Sequence, residues 1–314
     1  DIAAVAAGVD LLTPLPERAM IVPVGILIAA SEIAVPYRIF ATYLKALTLV
    51  LFAYVIAAFV AGPDWMQALR RTFVPHITLN AAFITTLVAV FGTTISPYLF
   101  FWQTSEEVEE MHRRHIRPGD EGELRRARID TNAGMLLANV VFYFIVLTTA
   151  ATLYPAGIRE INTARDAAEA LRPLAGDAAT ILFAAGFIGT GLLSIPVLAG
   201  SAAYAIAEVF DWREGLEAKP SEAPQFYLVI ALSTAVGRAN ALSGVGAIRA
   251  LFMAAVVNGV ISPVLIAAIL VVSNDRRVLG AHVNGIVANG IGLAAAGVMA
   301  LAALAMAGTF LLGV

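Results

Sequence analysis

Residues Phe91–Glu110 read FGTTISPYLFFWQTSEEVEE. The stretch starts apolar, is interrupted over Thr93–Pro97, resumes as an aromatic run and ends in acids. A soluble core helix has no use for that order. A membrane segment interrupted at mid-depth does, because backbone groups freed from helical bonding are tolerated in a bilayer only where they line a cavity or ligand site. Pro97 lacks an N–H and its ring clashes with the preceding turn, so helical hydrogen bonding is expected to fail over about one turn. Carbonyls near Thr93 and Thr94 then lose their partners. Carbonyl oxygens suit a hard cation, and the Ser96 hydroxyl adds another oxygen. The helix that restarts at Tyr98 points its positive end at the break, which by itself favours anions. A cation held here therefore needs carboxylates from elsewhere. A plain proline kink, common in membrane helices, is the other reading of the same residues.

Composition supports the membrane setting. Of 314 residues, 60% are hydrophobic and 14% charged, and the mean hydropathy is +0.83. These values point to an all-α polytopic membrane protein, in which one bundle can use residues 1–314 as a single transmembrane domain. The net charge of -3 gives no sign of a nucleic-acid partner. The absence of cysteine excludes disulfides, thiolate metal ligands and cysteine nucleophiles. Gly-x-Ser-x-Gly, His-Glu-x-x-His and Walker patterns are missing, and no histidine or lysine lies at depth to serve an intramembrane serine protease, so an enzyme is not expected.

The chain opens at Asp1 inside a small-residue apolar helix pattern, which reads as a chain without its beginning. Ile2–Leu12 supplies the last turns of one span. Complete spans are expected at Ala19–Val35, Phe40–Val60, Ile77–Trp102, Thr131–Tyr154, Asp177–Phe210, Val245–Val272 and Val283–Leu312. An eighth starts at Gln225 and spans only if it continues through Arg238 and Asn240 to Leu242. Asp177–Phe210 exceeds one span and is expected to tilt or to bend near Gly189–Pro196. Gln67–His76 is a short connection suited to the membrane surface, Gln103–Asp130 a long polar loop, and Asn162–Leu171 has a helical look. Of the lysines and arginines, twelve fall on the side of the 103–130 loop and eight on the other, which places that loop in the cytoplasm.

Other polar residues each carry two readings. Glu32 is an acid inside a span, or one close enough to Pro36 and Arg38 to reach the interface. Asn139, Asn240 and Asn258 are amide ligands or interhelical hydrogen-bonding groups. His112 and His115 have the i, i+3 spacing of metal ligands on a helix, yet they sit in a charged run that reads as a solvated face. Asn258-Gly259 marks a weak point within a span.

These residues together resemble the Nramp family of divalent metal ion transporters, which have the LeuT-like inverted-repeat fold. The likeness covers nearly the whole chain and starts inside the family's third helix, where Asp1-Ile2-Ala3 resembles an Asp-Leu-Ala-Glu stretch. It implies a partial LeuT-like bundle of about eight complete helices plus the end of one more, with the broken span as helix six. The family's Gly-Ala-Thr-Val-Met-Pro-His pattern stands here as Gly92-Thr93-Thr94-Ile95-Ser96-Pro97-Tyr98. The resemblance implies that the Thr93 carbonyl is a metal ligand and that Ser96 holds the place of a methionine ligand. Thr94 and Pro97 form the break, and Tyr98 holds the place of a histidine associated with proton transfer. Asn139 matches an asparagine of helix seven, and Asn258 to Pro263 a polar region near the metal path. The family's first helix, with an Asp-Pro-Gly-Asn ligand pattern, has no counterpart in these residues.

Two departures bear on substrate. A thioether is a soft ligand and a hydroxyl a hard one, so methionine to serine moves selectivity toward Mg²⁺, Ca²⁺ or Mn²⁺. Tyrosine ionises near pH 10, so Tyr98 cannot shuttle protons at neutral pH as histidine does. The implied protein is a secondary transporter of the Mn²⁺/Fe²⁺/Mg²⁺ class in a bacterial plasma membrane. Its partners are the divalent cation, protons and the lipid bilayer, and the metal is substrate rather than cofactor. A LeuT-like carrier for an amino acid or other organic solute, and a non-transporting sensor using the 103–130 loop, are the competing readings.

Overall fold

The computed structural model describes residues 1–34, 49–75, 77–78, 80–117, 119–216 and 218–312, and every regular element among them is helical. In chain order the α-helices are α1 (Ile2–Leu12), α2 (Glu17–Ala34), α3 (Ala53–Ala61), α4 (Trp65–Phe73), α5 (Ala81–Thr94), α6 (Pro97–Arg113) and α7 (Glu121–Thr152). They continue with α8 (Ala164–Ala168), α9 (Arg172–Ala175), α10 (Ala179–Phe210), α11 (Pro224–Leu242), α12 (Ala247–Ser273), α13 (Arg276–Leu279) and α14 (Ile286–Leu312). Among the described residues, five stretches are long and apolar enough to cross a membrane: Ala81–Arg113, Glu121–Thr152, Ala179–Phe210, Ala247–Ser273 and Ile286–Leu311. The protein is an all-α integral membrane protein. Helix α2 carries Glu17, Arg18 and Glu32 and is less apolar. Helix α11 does run through Arg238 and Asn240 to Leu242. The first part of the span expected at Phe40–Val60 lies outside the described residues.

The helices form two compact units, Asp1–Pro75 with Phe101–Arg249, and His76–Phe100 with Ala250–Val314. In the first, α1 packs along α10. Its buried Ala3, Ala6 and Ala7 allow close approach, and Gly191 of α10 leaves room for Val5. Ile2, Val5, Ile21, Ile28, Leu171 and Phe183 share the main apolar cluster. A buried Thr148 hydroxyl donates to the Tyr54 carbonyl at 2.9 Å and ties α7 to α3. Helix α10 runs unbroken through Pro196.

Polar segments expected to be loops are largely helical. Within 103–130, α6 continues to Arg113 and α7 starts at Glu121, leaving a short connector. The Asp120 side chain caps α7 by accepting from the Glu123 amide at 3.0 Å, and Arg114 pairs with Glu123 at 2.7 Å. The helical look of Asn162–Leu171 resolves into α8 and a 3₁₀ turn at Glu169–Leu171, opened by a Thr163/Asp166 capping box. The 67–76 connection is mostly α4, which has no buried residue.

In the second unit, Ile84 and Val88 of α5 meet Ala302 and Met306 of α14, with Phe91 and Val256 packed against them. Asn274 and Asn289 exchange amide hydrogen bonds at 2.8 and 2.7 Å, which fastens the α12–α14 hairpin.

Candidate functional site

Helix α5 ends at Thr94 and α6 starts at Pro97, so the interruption expected from the sequence falls on Ile95 and Ser96. Ile95 leaves helical geometry at φ -122°, ψ 75°, while its amide still donates to the Phe91 carbonyl at 2.9 Å. Beyond it, Pro97 has no N–H to offer the Thr93 carbonyl.

Two side-chain hydroxyls add donors at the break. The Ser96 hydroxyl, 5% exposed, lies 2.9 Å from the Gly92 carbonyl and 3.3 Å from that of Thr93. It has one proton, and the shorter contact goes to Gly92, which leaves Thr93 the less engaged oxygen. The Thr94 hydroxyl donates back to Val90 and Phe91, at 3.1 and 3.0 Å, so its proton faces its own helix. Tyr98, in the first turn of α6, is half-buried. The break is thus a short run of oxygens with serine in its centre, between the negative end of α5 and the positive end of α6.

Helix α12 closes one side of this run. Gly92 and Gly259 face each other so closely that a Cβ on Gly92 would strike the Ala255 carbonyl and the Gly259 amide. A Cβ on Gly259 would strike the Val88 carbonyl and come 2.8 Å from Val88 Cγ1. Asn258-Gly259, read as a weak point, is a packing point: α12 is continuous there, and Gly259 is where two backbones touch. Asn258 is brought to the α5–α12 crossing, but the structure ties its backbone carbonyl there rather than its amide: that carbonyl accepts from the Ser262 hydroxyl at 2.6 Å. The sequence reading missed Ser262. It is fully buried, and its hydroxyl also lies 2.7 Å from the Ile95 carbonyl, a second acceptor for its one proton. The missed signal is a repeated tripeptide, Ile-Ser-Pro, at 95–97 and 261–263.

The remaining candidates fall elsewhere. Asn139 is exposed on α7 and its amide donates to Met135 of its own helix at 2.7 Å. The side chain of Glu32 is outside the described residues. His115 lies past the end of α6 with φ 53°, so it and His112 do not share a helical face, and both are exposed. Asp1 accepts from the Ser194 hydroxyl at 2.8 Å within the first unit. Among the described residues, no group of three or more histidine, aspartate or glutamate side chains is arranged to hold a metal ion.

The profile of the Natural resistance-associated macrophage protein-like family, Nramp, matches residues 1–309. The chain belongs to the Nramp family. Among curated relatives of this Nramp chain, the divalent metal cation transporter MntH of Clostridium acetobutylicum is 28% identical over 148 residues, 46% of this chain and 33% of the relative. The protein of the same name from Acidiphilium cryptum is 28% identical over 244 residues, 75% of this chain and 52% of the relative. That from Deinococcus radiodurans is 27% identical over 153 residues, 46% of this chain and 33% of the relative. The chain therefore spans about a third to a half of the length of these relatives.

Proposed function

We propose that this Nramp protein moves divalent metal cations across a membrane, and that the cation is met at the break between α5 and α6. The observation that carries the reading is the oxygen run at that break: a Thr93 carbonyl without an amide donor from Pro97, beside a buried serine hydroxyl. The relatives' shared name, divalent metal cation transporter, supports the substrate class. Within this reading Thr93 and Ser96 are ligands, Asn258 lines the approach, Thr94 and Pro97 shape the break, and Tyr98 stands on the proton-path position. Ser96 offers lone pairs while its proton is held by Gly92, so it can face a cation without losing its own hydrogen bond.

An all-oxygen site prefers harder ions than one with a thioether. Mg²⁺ and Mn²⁺ are therefore the favoured cargo, and Tyr98 makes no neutral-pH proton relay. The test is radiotracer or fluorescent-indicator flux with the intact protein in proteoliposomes. Uptake of Mn²⁺ with Mg²⁺ as an effective competitor is expected. Strong Fe²⁺ preference without Mg²⁺ competition overturns the selectivity, and amino-acid uptake without cation flux overturns the substrate class. Replacing Ser96 by Met is expected to move the Cd²⁺-to-Mg²⁺ preference toward Cd²⁺ by about tenfold, the scale of one ligand exchange. An unchanged ratio removes Ser96 from the ligand set.

A further inference from the structure

We infer that Ser262 is a positioning residue for the break, holding the Ile95 carbonyl through a single proton that it shares with its own helix. This rests on the reading of the break as the cation site.

Ser262 is 0% exposed, and its oxygen lies 2.6 Å from the Asn258 carbonyl and 2.7 Å from the Ile95 carbonyl. A hydroxyl has one proton, so these are alternative acceptors at nearly equal distance. The Ile95 carbonyl belongs to the linker between α5 and α6, one residue before Ser96 and two after Thr93. Fixing that carbonyl fixes the peptide plane joining Ile95 to Ser96, and with it the direction in which Ser96 leaves the chain. The contact is possible because Gly92 and Gly259 bring α5 and α12 backbone to backbone.

The same tripeptide behaves differently in its two settings. At 95–97 the helix ends, whereas α12 keeps its course through Ile261-Ser262-Pro263. In α12 the Ser262 hydroxyl reaches back to Asn258, four residues earlier, the usual way a serine is satisfied inside a helix. That second acceptor matters to a moving site. When the Ile95 carbonyl turns away, Ser262 keeps a partner, so no buried hydroxyl is orphaned in either position. The linker is thereby held in one geometry without a large penalty for leaving it. Burying a hydroxyl with only one acceptor would lock the break instead.

The test compares Ser262→Ala and Ser262→Thr in the intact protein, reconstituted in proteoliposomes with Mn²⁺ as the probe. Loss of the hydroxyl is expected to raise KM for Mn²⁺ about fivefold to tenfold, the equivalent of one buried hydrogen bond, with the maximal rate within about twofold. Ser262→Thr retains the hydroxyl and is expected to return KM to within about twofold of the parent. A second measurement is independent of transport. The chain has two Ile–Ser peptide bonds, Ile95–Ser96 and Ile261–Ser262. With ¹³C-carbonyl isoleucine and ¹⁵N serine, either variant leaves only the Ile95–Ser96 bond visible by solid-state NMR. The Ile95 carbonyl shift is expected to lose its hydrogen-bonded value in Ser262→Ala and to keep it in Ser262→Thr. Parent flux with an unchanged KM in Ser262→Ala, or an Ile95 carbonyl shift identical in the two variants, overturns the role of Ser262. Absence of any cation flux from the parent overturns the functional reading, and the role assigned here falls with it.

Discussion

Gly92 and Gly259 lack a Cβ, and the crossing of α5 and α12 depends on it at both positions. Neither has a positive φ, so the requirement is close approach rather than backbone freedom. Gly92→Ala is therefore expected to destabilise the protein by ~3 kcal/mol, the upper range for overpacking, because the obstacle is backbone and cannot rotate away. Gly134, exposed in α7 with nothing near its would-be Cβ, is the control. Gly134→Ala is expected to be neutral or to stabilise by about 0.5 kcal/mol through helix propensity. Thermal unfolding in detergent separates the two, and equal midpoints would show that α5 and α12 do not touch at Gly92. Sequence reasoning reached Ser96 because a proline marks the break beside it. It could not reach Ser262, whose chemistry depends on a carbonyl 167 residues away.

At the scale of elements, the polar end of α6 is fastened to its neighbours. The Tyr204 hydroxyl, on α10, donates to Glu109 of α6 at 2.6 Å and accepts from the Leu216 amide at 3.2 Å. Its ring packs edge-on against Trp102 and Phe226, with centroids 6.2 and 4.9 Å away. Tyr227 holds the same connector by donating to the Ala218 carbonyl at 2.8 Å. Nearby, Glu214 has a buried carboxylate oxygen without a hydrogen-bond partner among the described residues. Burial first, then the charges of Glu208 and Glu109, push its pKa above the ordinary carboxylate value. Tyr204→Phe keeps the ring packing but removes both hydrogen bonds, at an expected cost of about 2 kcal/mol since one partner is charged. Hydrogen exchange should accelerate across 211–216 while the centre of α10 stays protected. No change there would mean that the Tyr204 hydroxyl does not hold the connector.

For the whole molecule, the charge asymmetry sets a direction. Arg125 lies near the start of α7 and Glu160 beyond its end, on opposite sides of one candidate span, and both are exposed. The chain has no cysteine, so single cysteines report without a background. Arg125→Cys is expected to react with a membrane-impermeant maleimide only from the cytoplasmic face, and Glu160→Cys only from the other. The reverse pattern would invert the orientation argued from the twelve-to-eight distribution of lysine and arginine.

Hydropathy and one proline were enough to read the membrane class, five of the expected spans and the position of the break from the chain itself. A bilayer permits few backbone solutions, and a missing N–H acts locally. The helicity of the 103–130 segment was less legible, because it rests on an Asp120 cap and on ion pairs such as Arg114–Glu123 that composition does not announce. Which oxygens at the break are engaged was decided only in three dimensions. Ser96 engages Gly92 within its own turn and leaves Thr93 the freer oxygen, while the Ile95 carbonyl is met by Ser262 from a helix far along the chain. Two glycines and one shared proton set that geometry, and none of the three has meaning until α5 and α12 lie against each other.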